Sequence, residues 1–199
     1  PVIAHSFGGA ISLLTAGAFP EKFDKIVDIE GAGARLEGKA ELTPERLREW
    51  TMQARALESQ TPRVYPSFRA AADRMREANP ALTVEMADHL ARWGSNAIDN
   101  GWVWKFDPWV HGRTPVEILP QDIERIWARV SCPVLHLVGS SSHFKRDAFH
   151  ERPVDQFFPD SRTQVIQHAG HWLHHDQLDA TVKAIREFLG PPPPPRASD

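Results

Sequence analysis

Cysteine is nearly missing from this chain: Cys132 is the sole thiol in 199 residues. A lone cysteine excludes an internal disulfide framework and suits a reducing compartment, so a cytoplasmic location is the expectation. Long apolar runs are missing too, and no stretch reaches the length that a membrane-spanning helix needs. Nor is there a surplus of positive charge. The 23 Lys and Arg stand against 26 Asp and Glu, a net charge of −3, and the basic residues are scattered rather than drawn into a stripe. That balance argues against nucleic acid or an anionic membrane as partner. No secretory signal pattern opens the chain, and no internal repeat runs through it.

What is present is the composition of a globular protein, 41% hydrophobic and 25% charged, with seven Trp and ten Phe. The opening "PVIAHSFGGA" reads as a strand end, a tight turn of small residues around Ser6, and a helix that stops near Pro20. "KFDKIVDIEGAG" follows as a short buried strand through Ile26, Val27 and Ile29, ended by Gly31 and Gly33. Thr43 and Pro44 mark a helix start, with Thr43 as the cap and Pro44 in the first helical position. Two further helices are expected over about residues 67–78 and 83–93, the second capped by Thr83, and "GWVWKFDPW" reads as an extended segment. A helix over about 121–129 leads to a second clear strand in "CPVLHLVGSSS", from Val134 to Val138. A helical segment near 152–157, a third strand in "TQVIQHAGH" and a last helix over about 178–189 complete the pattern. "GPPPPPRASD" cannot hold a helix and is expected to form a solvated polyproline tail over residues 191–199. Strands separated by helices at both ends argue for a parallel α/β sheet, interrupted by a helical insertion over residues 40–120. The core is then residues 1–39 and 121–190.

A strand, a serine flanked by small residues and a helix together form the layout of a nucleophile elbow. The small neighbours two residues away on either side are Ala4 and Gly8; glycine is the commoner choice at the first place. Gly9 lets the helix approach the strand, and the backbone N–H of Phe7 would point into an oxyanion site at the helix N-terminus. Serine is a poor nucleophile until a base takes its proton, and such a base lies later in the chain, beyond the last strand. Among ten histidines, His171 in "HAGHWLHHD" fits that place, whereas His174 and His175 read as a surface turn. The H-x-x-H-H spacing also suggests a metal site, but no Cys or carboxylate pattern completes a ligand set. No metal or cofactor is expected.

"AHSFGG", "PVLHLVGSSS" and "AGHWLHHDQLDATVKAIREFL" resemble the α/β-hydrolase fold superfamily, over the whole chain except the proline tail. "NPALTVEMADHL" and "GWVWKFDP" resemble the cap of its serine-hydrolase-like branch. The resemblance implies an α/β class, with the helical insertion as a cap domain. It also implies about five earlier strands and a loop donating the second oxyanion N–H, all absent from these 199 residues. The chain is accordingly expected to be the C-terminal part of such a fold, with an N-terminal half as its partner.

Many members of that family place an aspartate three residues after the glycine of the penultimate strand. Here Gly139 is followed by Ser140, Ser141 and Ser142, and a neutral hydroxyl cannot compensate an imidazolium as a carboxylate does. Another branch carries its acid at the end of the strand after the nucleophile helix, where this sequence has Glu30. Glu30 is therefore the expected acid, with Asp147 the alternative; Asp28 lies two residues deeper. The competing account of Glu30 is an ion pair with Arg35.

The insertion supplies Trp50, Phe68, Trp93, Trp102, Trp104, Phe106 and Trp109, most of them expected to pack and some to line an apolar pocket. His5, Trp102, Trp104 and Trp172 are the candidate substrate-binding side chains. A serine nucleophile excludes the family chemistry that uses aspartate, and carboxylic ester hydrolysis of a small apolar ester through an acyl-enzyme is the leading expectation. A non-catalytic binding protein of the same fold, or an inactive truncated product, is the rival.

Overall fold

The computed structural model describes residues 1–32, 42–107, 109, 112, 118–142 and 153–191. Asp147, Arg35, Gly33 and the polyproline tail from 192 onward lie outside the described residues. The chain divides into two compact units. One joins Pro1–Lys39 to Ile118–Asp199, and the other is Ala40–Glu117.

The first unit is built on a four-stranded sheet. Its strands are β1 (Val2–His5), β2 (Ile26–Ile29), β5 (Val134–Gly139) and β6 (Ser161–Ile166), in the order β1-β2-β5-β6. Every pairing is parallel, with Val2 opposite Ile26, Ile26 opposite Val134 and Val134 opposite Ser161. Central parallel strands are covered on both faces and read as continuous apolar runs. β2 and most of β5 obey that rule, with Asp28 and His136 as buried polar exceptions.

Alternation of side chains along the strands divides the core in two. Ile26 and Val134 pack with Leu13 and Ala16 of α1 (Phe7–Ala18) and with Ile123 and Trp127 of α5 (Pro120–Trp127). Val27, Ile29, Leu135 and Leu137 pack on the other face. Their partners there are Leu173 of α6 (Leu173–Asp176) and Ala184, Ile185 and Phe188 of α7 (Leu178–Leu189). The expected helix near 152–157 is a single 3-10 turn, Val154–Phe157. β6 begins two residues before the expected "TQVIQ", and α6 was not anticipated, because four residues are too few for a periodic signal.

The second unit contains α2 (Pro44–Glu58), α3 (Phe68–Ala78) and α4 (Val84–Gly94). The hydroxyls of Thr43, Ser67 and Thr83 accept from the backbone N–H groups of Arg46, Ala70 and Met86, satisfying donors that a helix start leaves free. Each such cap stabilises its helix by about 1 kcal/mol. The extended "GWVW" is β4 (Gly101–Trp104), antiparallel to β3 (Ser95–Ile98). Nothing in the weakly strand-forming Ser-Asn-Ala-Ile announced β3; its pairing with β4 overrides local preference. Trp102 exchanges backbone hydrogen bonds with Tyr65 and sets its ring 5.2 Å from that of Phe68; the Trp104 ring lies 6.3 Å from Tyr65.

Candidate active site

Ser6 sits between β1 and α1 with φ 54° and ψ −122°, a conformation that L-residues avoid. Its N–H donates to the Ile29 carbonyl at 2.8 Å, and its carbonyl accepts from Ala10 N–H at 3.1 Å. The tight turn therefore hangs between the end of β2 and the first turn of α1. Among the described residues only Ser6, Glu30 (φ 57°) and His168 (φ 56°) are non-glycine with positive φ. All three lie at the ends of strands or in the loop around one place, and backbone strain concentrates at such sites.

Small residues make room there. A Cβ on Gly9 would collide with Asp28 Oδ1 and lie 3.0 Å from Gly31 Cα; one on Gly31 would lie 2.7 Å from the Ser6 carbonyl oxygen. α1 is thus pressed against the end of β2, bringing the serine turn beside the turn that carries Glu30. Asp28 fixes that second turn by accepting from the N–H groups of Gly31 and Ala32, each at 3.1 Å.

His171 stands between the two. Its Nε2 is 2.9 Å from Ser6 Oγ, and its Nδ1 is 3.4 Å from Glu30 Oε2. For the serine hydroxyl to donate to Nε2, Nδ1 must carry the ring proton and face the carboxylate. Glu30 is 4% exposed, so its charge needs partners. It has them: Gly139 N–H donates to Oε1 and Ser142 Oγ donates to Oε2, both at 2.6 Å. The histidine loop is pinned by Gly170 N–H to Asp176 Oδ2 at 2.7 Å, Ser141 N–H to the Ala169 carbonyl at 2.9 Å and His168 N–H to Ser140 Oγ at 2.9 Å. His5 Nε2 donates to the His171 carbonyl at 2.8 Å, which places His5 behind the loop rather than at a free surface.

The remaining sequence candidates are distributed as follows. Phe7 begins α1, so its N–H has no carbonyl one turn back, and its ring is exposed. Trp172 meets His171 edge-on at 5.3 Å and is partly exposed. Trp102 and Trp104 belong to the helical unit, engaged as described above. His174 and His175 correct the surface-turn expectation: both are half-buried on α6, and the Nδ1 of each is buried without a partner among the described residues. The rings of His171, His5, His174 and His175 follow one another at 4.7, 4.7 and 4.2 Å. Burial, then the neighbouring His175 and His5, pushes His174 down to about 4; burial likewise lowers His5 and His175.

Sequence reasoning passed over His136. Its Nδ1 is 2.9 Å from Asp28 Oδ2, both side chains fully buried. The available signal was a polar residue inside the apolar run "PVLHLVG", opposite Asp28 in register. Ser142 was noted for what it is not, and its role as a donor to Glu30 was missed.

Residues 1–184 match the alpha/beta hydrolase family, and the chain belongs to it. A serine hydrolase-like protein of Danio rerio is 23% identical over 97% of this chain and 61% of its own length. The esterase YbfF of Escherichia coli is 24% identical over 94% of this chain and 66% of its own. Among solved structures, the hypothetical protein PA1622 from Pseudomonas aeruginosa superposes with a TM-score of 0.78 at 23% identity, over 94% of this chain and 66% of that one. The thioesterase domain from the curacin biosynthetic pathway gives 0.70 at 21% identity, over 92% and 63%. The chain thus spans less than two thirds of the length of these relatives. No helix among the described residues is long and apolar enough to cross a membrane.

Proposed function

We propose that the protein is a serine hydrolase that cleaves a carboxylic ester through an acyl-enzyme, with Ser6 as nucleophile, His171 as base and Glu30 as acid. The observation that carries this reading is the line of side chains from Ser6 Oγ, 2.9 Å from His171 Nε2, through the ring to the buried Glu30 carboxylate, 3.4 Å from Nδ1. A strained serine at the N-terminus of a helix, facing an imidazole that faces a carboxylate, is the arrangement nucleophilic acyl transfer requires.

In the first half-reaction Ser6 Oγ bonds to the ester carbonyl carbon while its proton passes to His171 Nε2. The carbonyl electron pair becomes an oxyanion, stabilised by the Phe7 N–H and the positive end of α1. Collapse restores the carbonyl and breaks the bond to the alcohol oxygen, which leaves with the proton from His171. Water then adds to acyl-Ser6, giving His171 a proton. The second collapse returns that proton to Ser6 Oγ and frees the carboxylic acid. Glu30 stays ionised throughout, orienting the ring and stabilising the transient imidazolium.

The exposed Phe7 and Trp172 side chains, which neighbour Ser6 and His171 in sequence, favour a small apolar ester as substrate. The esterase name of the Escherichia coli relative supports an ester as substrate. Thioester, amide and C–C bond hydrolysis use the same triad. Labelling by a fluorophosphonate, which reacts only with an activated serine, is the test. The full-length protein should be labelled and Ser6→Ala should not; an unlabelled wild-type protein would favour the non-catalytic reading.

A further inference from the structure

We propose that Ser142 is a positioning residue for His171, its hydroxyl sharing Glu30 Oε2 with the imidazole and so weakening the hold of the carboxylate on the protonated base. The proposal rests on the triad reading above and adds to it a residue that sets the pH range of the reaction.

The distances carry it. Ser142 Oγ lies 2.6 Å from Oε2, in the range of strong charge-assisted O–H···O⁻ bonds. His171 Nδ1 lies 3.4 Å from the same oxygen, beyond the usual N–H···O range. A carboxylate can only accept, so the hydroxyl must be donating. Ser142 is not needed to anchor Glu30: Gly139 N–H grips Oε1 at 2.6 Å, Glu30 N–H donates to the Leu137 carbonyl at 3.0 Å, and Asp28 ties the next two residues. Its own N–H donates to the Gly139 carbonyl at 3.2 Å, a turn that aims the hydroxyl at the carboxylate. Ser142 therefore acts on the charge of Glu30 more than on its place.

A hydrogen bond to the ionised form disperses its charge and lowers what it can give to a neighbouring cation. Among the described residues, the other titratable groups set against His171 are His5 from β1, whose ring lies 4.7 Å away, and His174 from α6. Burial keeps His5 and His174 neutral near neutral pH, and Asp28 is taken up by His136, Gly31 and Ala32. Among the described residues Glu30 is the carboxylate within reach of the His171 ring, and Ser142 moderates what it gives to the base.

The experiment is the rate of fluorophosphonate labelling of the full-length protein between about pH 5 and 9. Removing the hydroxyl leaves Oε2 wholly to His171, so the base holds its proton to higher pH. In Ser142→Ala the midpoint of the acid-side fall should rise by about half to one pH unit, a three- to tenfold drop in the rate at pH 5.5 relative to pH 8. Ser142→Thr keeps the hydroxyl and should keep the wild-type midpoint. Should Ser142→Ala fail to fold, Ser142→Gly makes the same deletion. An unmoved or lowered midpoint in the deletion variant overturns the proposal, as does Ser142→Thr behaving like Ser142→Ala. Failure of the underlying triad reading looks different: wild-type protein is not labelled, or Glu30→Gln is labelled at the wild-type rate.

Discussion

β2 brings two carboxylates to neighbouring places, and each holds a histidine under different terms. Asp28 and His136 meet at 2.9 Å with both side chains sealed from solvent. Asp28 spends its other capacity on the Gly31 and Ala32 N–H groups, and the His136 ring packs 4.9 Å from Phe158. Its Nε2 is buried with no hydrogen-bond partner among the described residues. Glu30 and His171 are looser, at 3.4 Å, but His171 Nε2 has a serine hydroxyl 2.9 Å away. The two pairs share their chemistry, so reactivity follows from what the far nitrogen faces. A histidine backed by a carboxylate is a strut when its other nitrogen faces an apolar core; on the proposed reading it is a base when that nitrogen faces a serine on a strained turn.

The largest expected effect lies at that turn. Ser6→Ala should lower esterase kcat of the full-length protein by on the order of 10⁶, as for loss of a triad nucleophile, with substrate binding little changed. More than a tenth of wild-type activity remaining would place the chemistry elsewhere.

Glu30 and Asp28 then separate the open pair from the closed one. Glu30→Gln keeps the shape and removes the charge, and should cost about 10³–10⁴ in kcat, with a smaller loss of unfolding free energy than Asp28→Asn because one backbone donor rather than two depends on it. Asp28→Asn should do the reverse in emphasis. One partner of a buried pair is lost while two backbone donors depend on the same group, so unfolding free energy should fall by about 3–5 kcal/mol. Urea titration beside steady-state kinetics measures both. A stable Asp28→Asn protein as inactive as Glu30→Gln is expected to be would reverse the assignment and make Asp28 the acid.

That contrast also marks where the sequence was legible. The serine turn could be read because its small residues, its apolar strand and its amphipathic helix are local features within 18 residues. His171 followed from chain order, and Glu30 from the missing carboxylate at Ser142 together with the family resemblance. What was not legible arises from register. Asp28 lies opposite His136 because β2 and β5 pair in parallel with Ile26 against Val134, a long-range alignment that neither strand announces alone. The Ser142 hydroxyl reaches Glu30 across the same pairing. The half-buried state of His174 and His175 depends on α6, a helix of one turn with no periodic signature.

The smallest expected effect concerns the imidazoles beside the open pair. His174 is held neutral down to about pH 4 by burial and by its histidine neighbours, whereas an unfolded histidine takes its proton near 6.5. Between those values the unfolded chain binds more protons than the folded one, so stability is full above about pH 6.5 and declines as the pH falls toward 4. His5 and His175, lowered in the same direction, add to the decline. The His174 ring is only half-buried, and solvent screening reduces its share to about 1 kcal/mol. Urea midpoints of the full-length protein at about pH 7.5 and 5 should therefore differ, and His174→Gln, which has no proton to take up, should narrow the difference without closing it. A midpoint that rises on acidification, or a gap that His174→Gln leaves intact, would show that His174 carries none of the pH dependence.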